Sequence, residues 1–300
     1  MKILLFGKSG QVGWELQRSL SPLGELVALD ANSLDFCGDI TNQEGIVQTI
    51  RALGPDVIVN AAAYTAVDKA ESEPELTHRV NAIGPAILAR EAKRNAALLV
   101  HYSTDYVFDG SGERPWLETD DVHPLNVYGK TKLDGEKFIR ESACRHLIFR
   151  TSWVYALRGN NFIKTMLRLA QERDQLTVVD DQIGAPTGAE LLADVTAHAI
   201  LAIRNRPELA GLYHLTAGGQ TSWHEYAGFV IEYARQAGLA IKVAADAIQA
   251  VPGSAFQMPA RRPNNSRLDT HKLQNSFALT LPHWQKGVSR MLTEIIEKQP

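Results

Sequence analysis

Five short apolar runs, separated by longer amphipathic stretches, constrain the fold of this chain more than any other feature. The runs are Ile3 to Phe6, Leu26 to Leu29, Val57 to Val59, Leu98 to Tyr102 and Leu147 to Phe149. None alternates apolar with polar residues, as expected of strands covered on both faces in a parallel sheet. Helical patterns at Gln11 to Leu20, Gln43 to Leu53, Glu75 to Arg94 and Val127 to Glu141 lie between most of them. Thr41 and Asn126 precede the second and fourth as N-caps. Strand and helix repeated in this order predict an α/β protein with a doubly wound parallel sheet. The stretch from Asp30 to Asp39 has no helical pattern and reads as a loop near a ligand.

After Trp153 the pattern loosens. Helices are expected at Phe162 to Gln171, Ala189 to Arg204, Trp223 to Gln236 and Lys286 to Glu297, with loops at Pro252-Gly253 and Pro263-Asn264-Asn265. Residues 1–152 read as a dinucleotide-binding domain. Residues 153–300 read as a mainly substrate-binding region, with some segments returning to the main sheet.

Composition narrows the function classes. A formal net charge of −3 with 45% apolar residues is ordinary for a globular protein. No basic stripe is present, so a nucleic-acid partner is not expected; Arg261-Arg262 is an isolated pair, suited to one phosphate. Cys37 and Cys144 are far apart and lack metal-ligand spacing, which points to a reducing, cytoplasmic setting. No apolar stretch approaches the ~20 residues of a membrane helix, so no membrane is expected either.

Gly7-Lys8-Ser9-Gly10-Gln11-Val12-Gly13 directly follows the first strand and opens the first helix. A pyrophosphate needs backbone amides and a helix N-terminus brought close, and side chains at the turn would obstruct that approach. The spacing is G-x-x-G-x-x-G, and a tight turn is the plain alternative. Asp30 ends the second strand, where an acid can accept from adenosine ribose hydroxyls. Ala31-Asn32 follow it with no arginine, which leaves a 2′-phosphate without an obvious partner and favours NADH modestly. Asp39 and Ile40 are placed to reach the adenine. Ala62, Ala63, Tyr64 and Thr65 lie beyond the third strand, where a cofactor can rest on the backbone. Each of these taken alone could be packing.

Tyr128 and Lys132 stand four apart on one face of a helix, the one such pair among eight tyrosines. A phenol ionises near ~10, too high for easy exchange at neutrality. A neighbouring ammonium would stabilise the phenolate and make it a usable acid and base. A surface helix contact is the plain alternative. The fourth strand ends in Tyr102-Ser103-Thr104-Asp105, where a hydroxyl of Ser103 or Thr104 could polarise a substrate carbonyl. Glycine turn, strand-end hydroxyl and Tyr/Lys pair together predict hydride transfer between a nicotinamide cofactor, NADH or NADPH, and a carbonyl.

These segments resemble the extended short-chain dehydrogenase/reductase family, a Rossmann family. Leu5 to Gly13, Ala61 to Thr65, Ser103 to Gly110, Tyr128 to Lys132, Arg150 to Tyr155 and Arg262 to Ser266 carry the resemblance over nearly the whole chain. The second, third and last point to the branch that reduces a dTDP-linked 4-keto-6-deoxyhexose for bacterial surface polysaccharide (lipopolysaccharide O-antigen). The resemblance implies Tyr128 as proton donor, Lys132 as its modulator and nicotinamide-ribose contact, and Thr104 against the sugar carbonyl. Asp105 and Trp153 would contact the sugar nucleotide, and Arg262 the pyrophosphate, with a surface salt bridge as its plain alternative. Gly7, Gly10, Gln11, Val12, Gly13, Asp30, Asp39, Ile40, Ala62, Ala63, Tyr64 and Thr65 would hold the cofactor, and Asn81 would support the site. Relatives often carry glycine where Ala156 stands. The family also includes Mg2+-dependent homodimers; the ligands are not legible here, and Glu15 and Glu190 are guesses. A sugar-nucleotide 4-epimerase, and a non-catalytic nucleotide-binding regulatory subunit, are the alternatives. A 4,6-dehydratase is disfavoured because Tyr106, not an acid, follows Asp105.

Overall fold

The computed structural model describes residues 1–297. The first half runs β1 (Lys2–Phe6), α1 (Gln11–Leu20), β2 (Glu25–Leu29), α2 (Gln43–Leu53), β3 (Val57–Asn60), α3 (Val67–Ala70), α4 (Pro74–His78), α5 (Gly84–Arg94), β4 (Leu98–Thr104), α6 (Val127–Glu141) and β5 (His146–Thr151). The second half adds β6 (Val154–Tyr155), α7 (Phe162–Glu172), β7 (Leu176–Val179), β8 (Ile183–Gly184), β9 (Thr187–Gly188), α8 (Ala189–Asn205), β10 (Gly211–His214), β11 (Thr221–Ser222), α9 (Trp223–Gln236), β12 (Ile248–Val251), α10 (His271–Phe277) and α11 (Trp284–Ile296).

Six of these strands form one parallel sheet in the order β10-β5-β4-β3-β1-β2. Every residue of β3 and β4 is buried, whereas edge strand β2 is partly exposed. That is why the central strands read as continuous apolar runs. Leu16, Leu192 and Ile200 pack on one face of the sheet, and Ile46, Ile87 and Ile139 on the other. The chain reverses direction of winding between β1 and β3, so a crevice opens at the carboxyl ends of these strands. β10 belongs to this sheet although it comes from residue 211 onward, pairing with β5. A second core of Ile163, Leu176, Tyr226, Trp284 and Val288 lies in the C-terminal half.

Three local expectations need correction. Asn42, not Thr41, caps α2: its Oδ1 accepts from Gly45 N at 3.0 Å, while Thr41 donates to Asp39. The pattern over Glu75 to Arg94 is not one α-helix, because a π turn at Arg79–Ile83 separates α4 from α5. The final helix starts at Trp284, with Glu297 as its C-cap. The Asp30 to Asp39 stretch is a loop, as expected.

Candidate functional site

The glycine turn is built by close approach. Gly7 has φ 87°, and a Cβ on it would lie 2.6 Å from Ala62 N; one on Gly13 would lie 2.0 Å from Gly7 O. Both glycines let the end of β1 nest between α1 and the segment after β3. Gly10 differs, since its nearest internal neighbour to a Cβ is Gly7 O at 3.5 Å, an ordinary contact. Gly10 is also the N-cap of α1, with no side chain bonding the first amides. Those amides are left for a ligand at the positive end of the helix.

Beside this turn the loop after β2 folds back. A Cβ on Gly38 would lie 2.3 Å from Asp30 O, which puts Asp39 and Ile40 next to Asp30. Asp30 Oδ1 accepts from Asn32 N at 3.0 Å and from Ser33 Oγ at 3.3 Å. Lys8 Nζ reaches Ser33 Oγ at 3.1 Å, so a cation does stand near Asp30. Lys8 comes from the glycine turn rather than from the residues after Asp30. Asp39 is occupied in its own turn with Thr41, and Ile40 is buried against Gly84.

A cleft of about 470 Å³ runs from the turn across the sheet edge, lined by Gly10, Val12, Thr104, Tyr128, Lys132 and Trp153 among others. Ala63 and Thr65 also line it, while the Tyr64 hydroxyl points away to Glu73 at 2.7 Å. The Tyr64 backbone is held by Asn81, whose Oδ1 accepts from Tyr64 N and whose Nδ2 donates to Tyr64 O and to Thr131 Oγ1. Asn81 sits in the π turn, which aims it at this loop.

The roles of the two strand-end hydroxyls separate cleanly. Ser103 Oγ donates to Glu136 at 2.5 Å and is committed to the interior. Burial, with Asp105, pushes the Tyr128 phenol up to about 12, while Thr104 beside it eases its ionisation; the Thr104 hydroxyl itself donates to Asp105 Oδ1 at 3.0 Å. Lys132 is not what sets the phenol's ionisation. Lys132 Nζ instead reaches Tyr102 O at 2.5 Å and His101 Nε2 at 3.3 Å. The expected ammonium beside the phenol is therefore replaced by a lysine anchored across the helix–sheet gap. Burial brings Lys132 down to about 8, opposed by Glu136. Glycine at 129 lets α6 press on the Asp105–Val107 turn, where a Cβ would lie 2.2 Å from Tyr106 O.

Three buried oxygens of the cleft residues lack any partner: Asp105 Oδ2, Thr151 Oγ1 and Ser152 Oγ. Buried polar groups left unpaired are costly, and these three atoms are closed off from the cleft that their residues line. Burial pushes Asp105 up to about 6, while Ser266 and Thr104 hold it down. Trp153 has φ 49°, a conformation uncommon for a large side chain, and its ring stacks on Trp223 at 3.6 Å. Together the two indoles wall the far side of the cleft. Ala156, in place of the frequent glycine, is buried with an ordinary backbone, so this loop accommodates it.

Arg262 does not present a free guanidinium. It forks onto Asp68, with Nη2 to Oδ2 at 2.6 Å and Nη1 to Oδ1 at 3.2 Å, which is the salt-bridge alternative. Glu15 and Glu190 line a separate cavity of about 380 Å³ with Glu294, Arg18 and Arg290. The arginines pair with these acids, and among the described residues no group of three or more His, Cys, Asp or Glu is arranged to hold a metal. Sequence reasoning missed Lys8, Asn60, His101, Thr151, Ser152 and Trp223. A polar residue inside an otherwise apolar strand was the available signal for His101. No helix among the described residues is long and apolar enough to cross a membrane.

Comparison with known proteins agrees with this geometry. The family model described as RmlD substrate binding domain matches residues 1–297. A dTDP-4-dehydrorhamnose reductase of Shigella flexneri is 62% identical over 295 residues, covering 98% of both chains. The enzyme of that name from Burkholderia thailandensis is 45% identical, covering 99% of this chain and 100% of that one. Among solved structures, a dTDP-4-dehydrorhamnose reductase from Clostridium acetobutylicum superposes with a TM-score of 0.87 at 35% identity, covering 98% of this chain and 99% of that one. One from Bacillus anthracis, in complex with NADP, gives 0.86 at 35% identity, covering 98% and 99%. Matched over residues 1–297 and 62% identical to a relative of that name, the chain belongs to the dTDP-4-dehydrorhamnose reductase family.

Proposed function

We propose that this chain reduces dTDP-4-dehydro-L-rhamnose to dTDP-L-rhamnose with NADH or NADPH. The observation that carries the reading is the meeting of Tyr128 and Thr104 in a cleft that begins at the open amides of α1. A bound nicotinamide cofactor supplies the hydride to C4 of the sugar.

The chain's own residues do the rest. A Tyr128 phenol pushed up to about 12 is fully protonated at neutral pH, which suits a donor. An alkoxide is far more basic than a phenolate, so the proton moves downhill as the sugar oxygen gains charge. The Thr104 hydroxyl, which donates to Asp105 Oδ1 at 3.0 Å, would turn to the same oxygen. Lys132, anchored on Tyr102 O, lines the cleft where a ribose hydroxyl would lie. Gly10, Gln11 and Val12 take the pyrophosphate, with Gly7 and Gly13 shaping the turn. Asp30, Asp39 and Ile40 flank the adenosine, and Ala62, Ala63, Tyr64 and Thr65 the cofactor's middle. Trp153 and Trp223 exclude water from the sugar side. Asp105, which lines the cleft, contacts the sugar nucleotide.

Residues 153–300 read as the substrate-closing region, and a cytoplasmic homodimer follows from resemblance alone. The test is oxidation of NADH and of NADPH with a panel of nucleotide-linked keto sugars. Stoichiometric cofactor consumption with the dTDP-keto sugar supports the reading. Tightly retained NAD with no net consumption would reassign the site to a 4-epimerase.

A further inference from the structure

Hydrogen bonds do little to fix the Tyr128 ring in the cleft. Thr104 lies beside its hydroxyl, but the Thr104 proton goes to Asp105 Oδ1 at 3.0 Å, and Lys132 Nζ is turned away to Tyr102 O. What meets the ring is a second aromatic. Tyr106 packs on Tyr128 edge to face, with centroids 5.6 Å apart and planes at 79°.

We propose that Tyr106 is a positioning residue, a buttress that holds the Tyr128 ring where its proton transfer needs it, and that the Arg262–Asp68 pair acts through Tyr106 by fixing the hydroxyl end of its side chain.

The backbone of Tyr106 is built into both sides of the reacting pair. Its N–H donates to Thr104 Oγ1 at 3.2 Å. Its carbonyl lies under α6, where a Cβ on Gly129 would come within 2.2 Å. Gly129 directly follows Tyr128, so the turn and the helix cannot shift against each other without disturbing this close contact. Val107 and Phe108, both 0% exposed, root the turn in the core behind it.

The far end of the side chain is held from the other half of the chain. The Arg262 guanidinium stands beside the Tyr106 phenol, near enough for each to act on the other's ionisation. It forks onto Asp68 at 2.6 and 3.2 Å. Asp68 Oδ1 also accepts from Ala260 N at 3.3 Å, so backbone as well as side chain ties this segment to α3. A planar guanidinium on both oxygens of a carboxylate keeps one orientation. Burial and Asp105 hold the Tyr106 phenol above its ordinary value, so it stays neutral beside the donor.

Committed in this way, Arg262 differs kinetically from a ligand for the substrate's phosphates. Loss of a phosphate contact weakens ground and transition states alike and raises KM. Loss of a buttress leaves binding in place and lowers kcat, because a reacting group misplaced by about 1 Å can slow a reaction ~10²-fold.

That the Tyr128 proton serves keto-sugar reduction rests on the proposed function; the restraint on its ring does not. The test therefore reads ring and kinetics separately, on the full-length protein. With ring-labelled 13C-tyrosine, Tyr128 is assigned by its loss in Tyr128→Phe, and its relaxation gives an order parameter. That order should drop in Tyr106→Leu and, less steeply, in Arg262→Met; an unchanged value in both overturns the buttress. With NADPH and the dTDP-keto sugar, Tyr106→Leu should lower kcat at least tenfold while the sugar KM stays within about threefold. The solvent deuterium isotope effect on hydride transfer should rise with it, since a loosened donor makes proton transfer slow. Tyr106→Phe keeps the ring and should recover most of kcat. Its remaining loss should match that of Arg262→Met, and the double variant should fall no further, because both remove one contact. These two variants carry the test if Tyr106→Leu does not fold. An Arg262→Met that raises the sugar KM at unchanged kcat overturns the proposal and returns Arg262 to the phosphates. A Tyr128 ring restrained as expected, in a protein that does not reduce the keto sugar, would uphold the buttress and count against the proposed function alone.

Discussion

Gly10 and Gly13 stand three residues apart in one turn yet answer to different constraints. A Cβ at Gly13 would sit 2.0 Å from Gly7 O, whereas one at Gly10 meets nothing internal closer than 3.5 Å. Gly13→Ala is therefore expected to lose on the order of 2 kcal/mol or more of stability, the cost of overpacking a tight contact. Gly10→Ala should keep its melting temperature within about 2 °C and raise the cofactor Kd at least tenfold, because only the ligand needs that space. Thermal melts and cofactor titration separate the two. Lys8 carries a related expectation. Lys8→Ala should raise the KM for NADPH roughly tenfold, the ~1.4 kcal/mol of a phosphate contact, with little change for NADH. Asp105 supplies a pH dependence. Its folded value of about 6 lies above its ordinary 3.8, so the folded state binds the extra proton between these limits. Stability falls as pH rises through that window, by ~3 kcal/mol at most, and the loss is complete above it. Asp105→Asn should melt higher than wild type at pH 8 and nearly equal at pH 4. The placement of Tyr128 and Lys132 on one helix lining the cleft was legible in the sequence. Lys8, Thr151 and Ser152 were not, because their relevance comes from neighbours far away in the chain.

α6 carries Tyr128 and Lys132, and its seating depends on a buried ion pair to β5. Arg150 Nε and Nη2 meet Glu136 at 2.9 and 2.7 Å, and Ser103 from β4 completes the carboxylate. Removing one member of a buried pair leaves the other charge uncompensated. Glu136→Gln is expected to cost about 3 kcal/mol in denaturant unfolding and to lower kcat with it, since the helix is no longer held in register against β4. A cost within about 0.5 kcal/mol would show that the pair does not seat the helix. At this scale the parallel strands were readable, because burial on both faces removes polar residues from them. The π turn was not. A single residue's excess within a helix leaves the apolar period nearly intact, so Glu75 to Arg94 reads as one helix until Asn81 is seen bonded to the Tyr64 backbone. Thr41 was an equally good cap by residue type. Asn42 takes the position because Asp39 has already claimed the Thr41 amide and hydroxyl.

The whole molecule brings both halves of the chain to one cleft. Residues after β5 supply Trp153 and Trp223 to its wall, and the segment around residue 261 is tied to the first half by Asn126 Nδ2 donating to Arg261 O at 2.7 Å. Such pairings over more than 60 residues, like that of β10 with β5, leave no periodic trace. A sequence therefore reveals that segments return to the sheet more readily than where. The cleft itself depends on one group, the Tyr128 phenol beside Thr104. Single-turnover oxidation of NADPH with dTDP-4-dehydro-L-rhamnose by Tyr128→Phe tests it most directly, with cofactor affinity measured on the same preparation. Reduction should slow by ~10²–10⁴ while the cofactor Kd stays within about threefold of wild type. A variant that binds cofactor normally and reduces the sugar at close to the wild-type rate would contradict the assignment of the proton to this phenol.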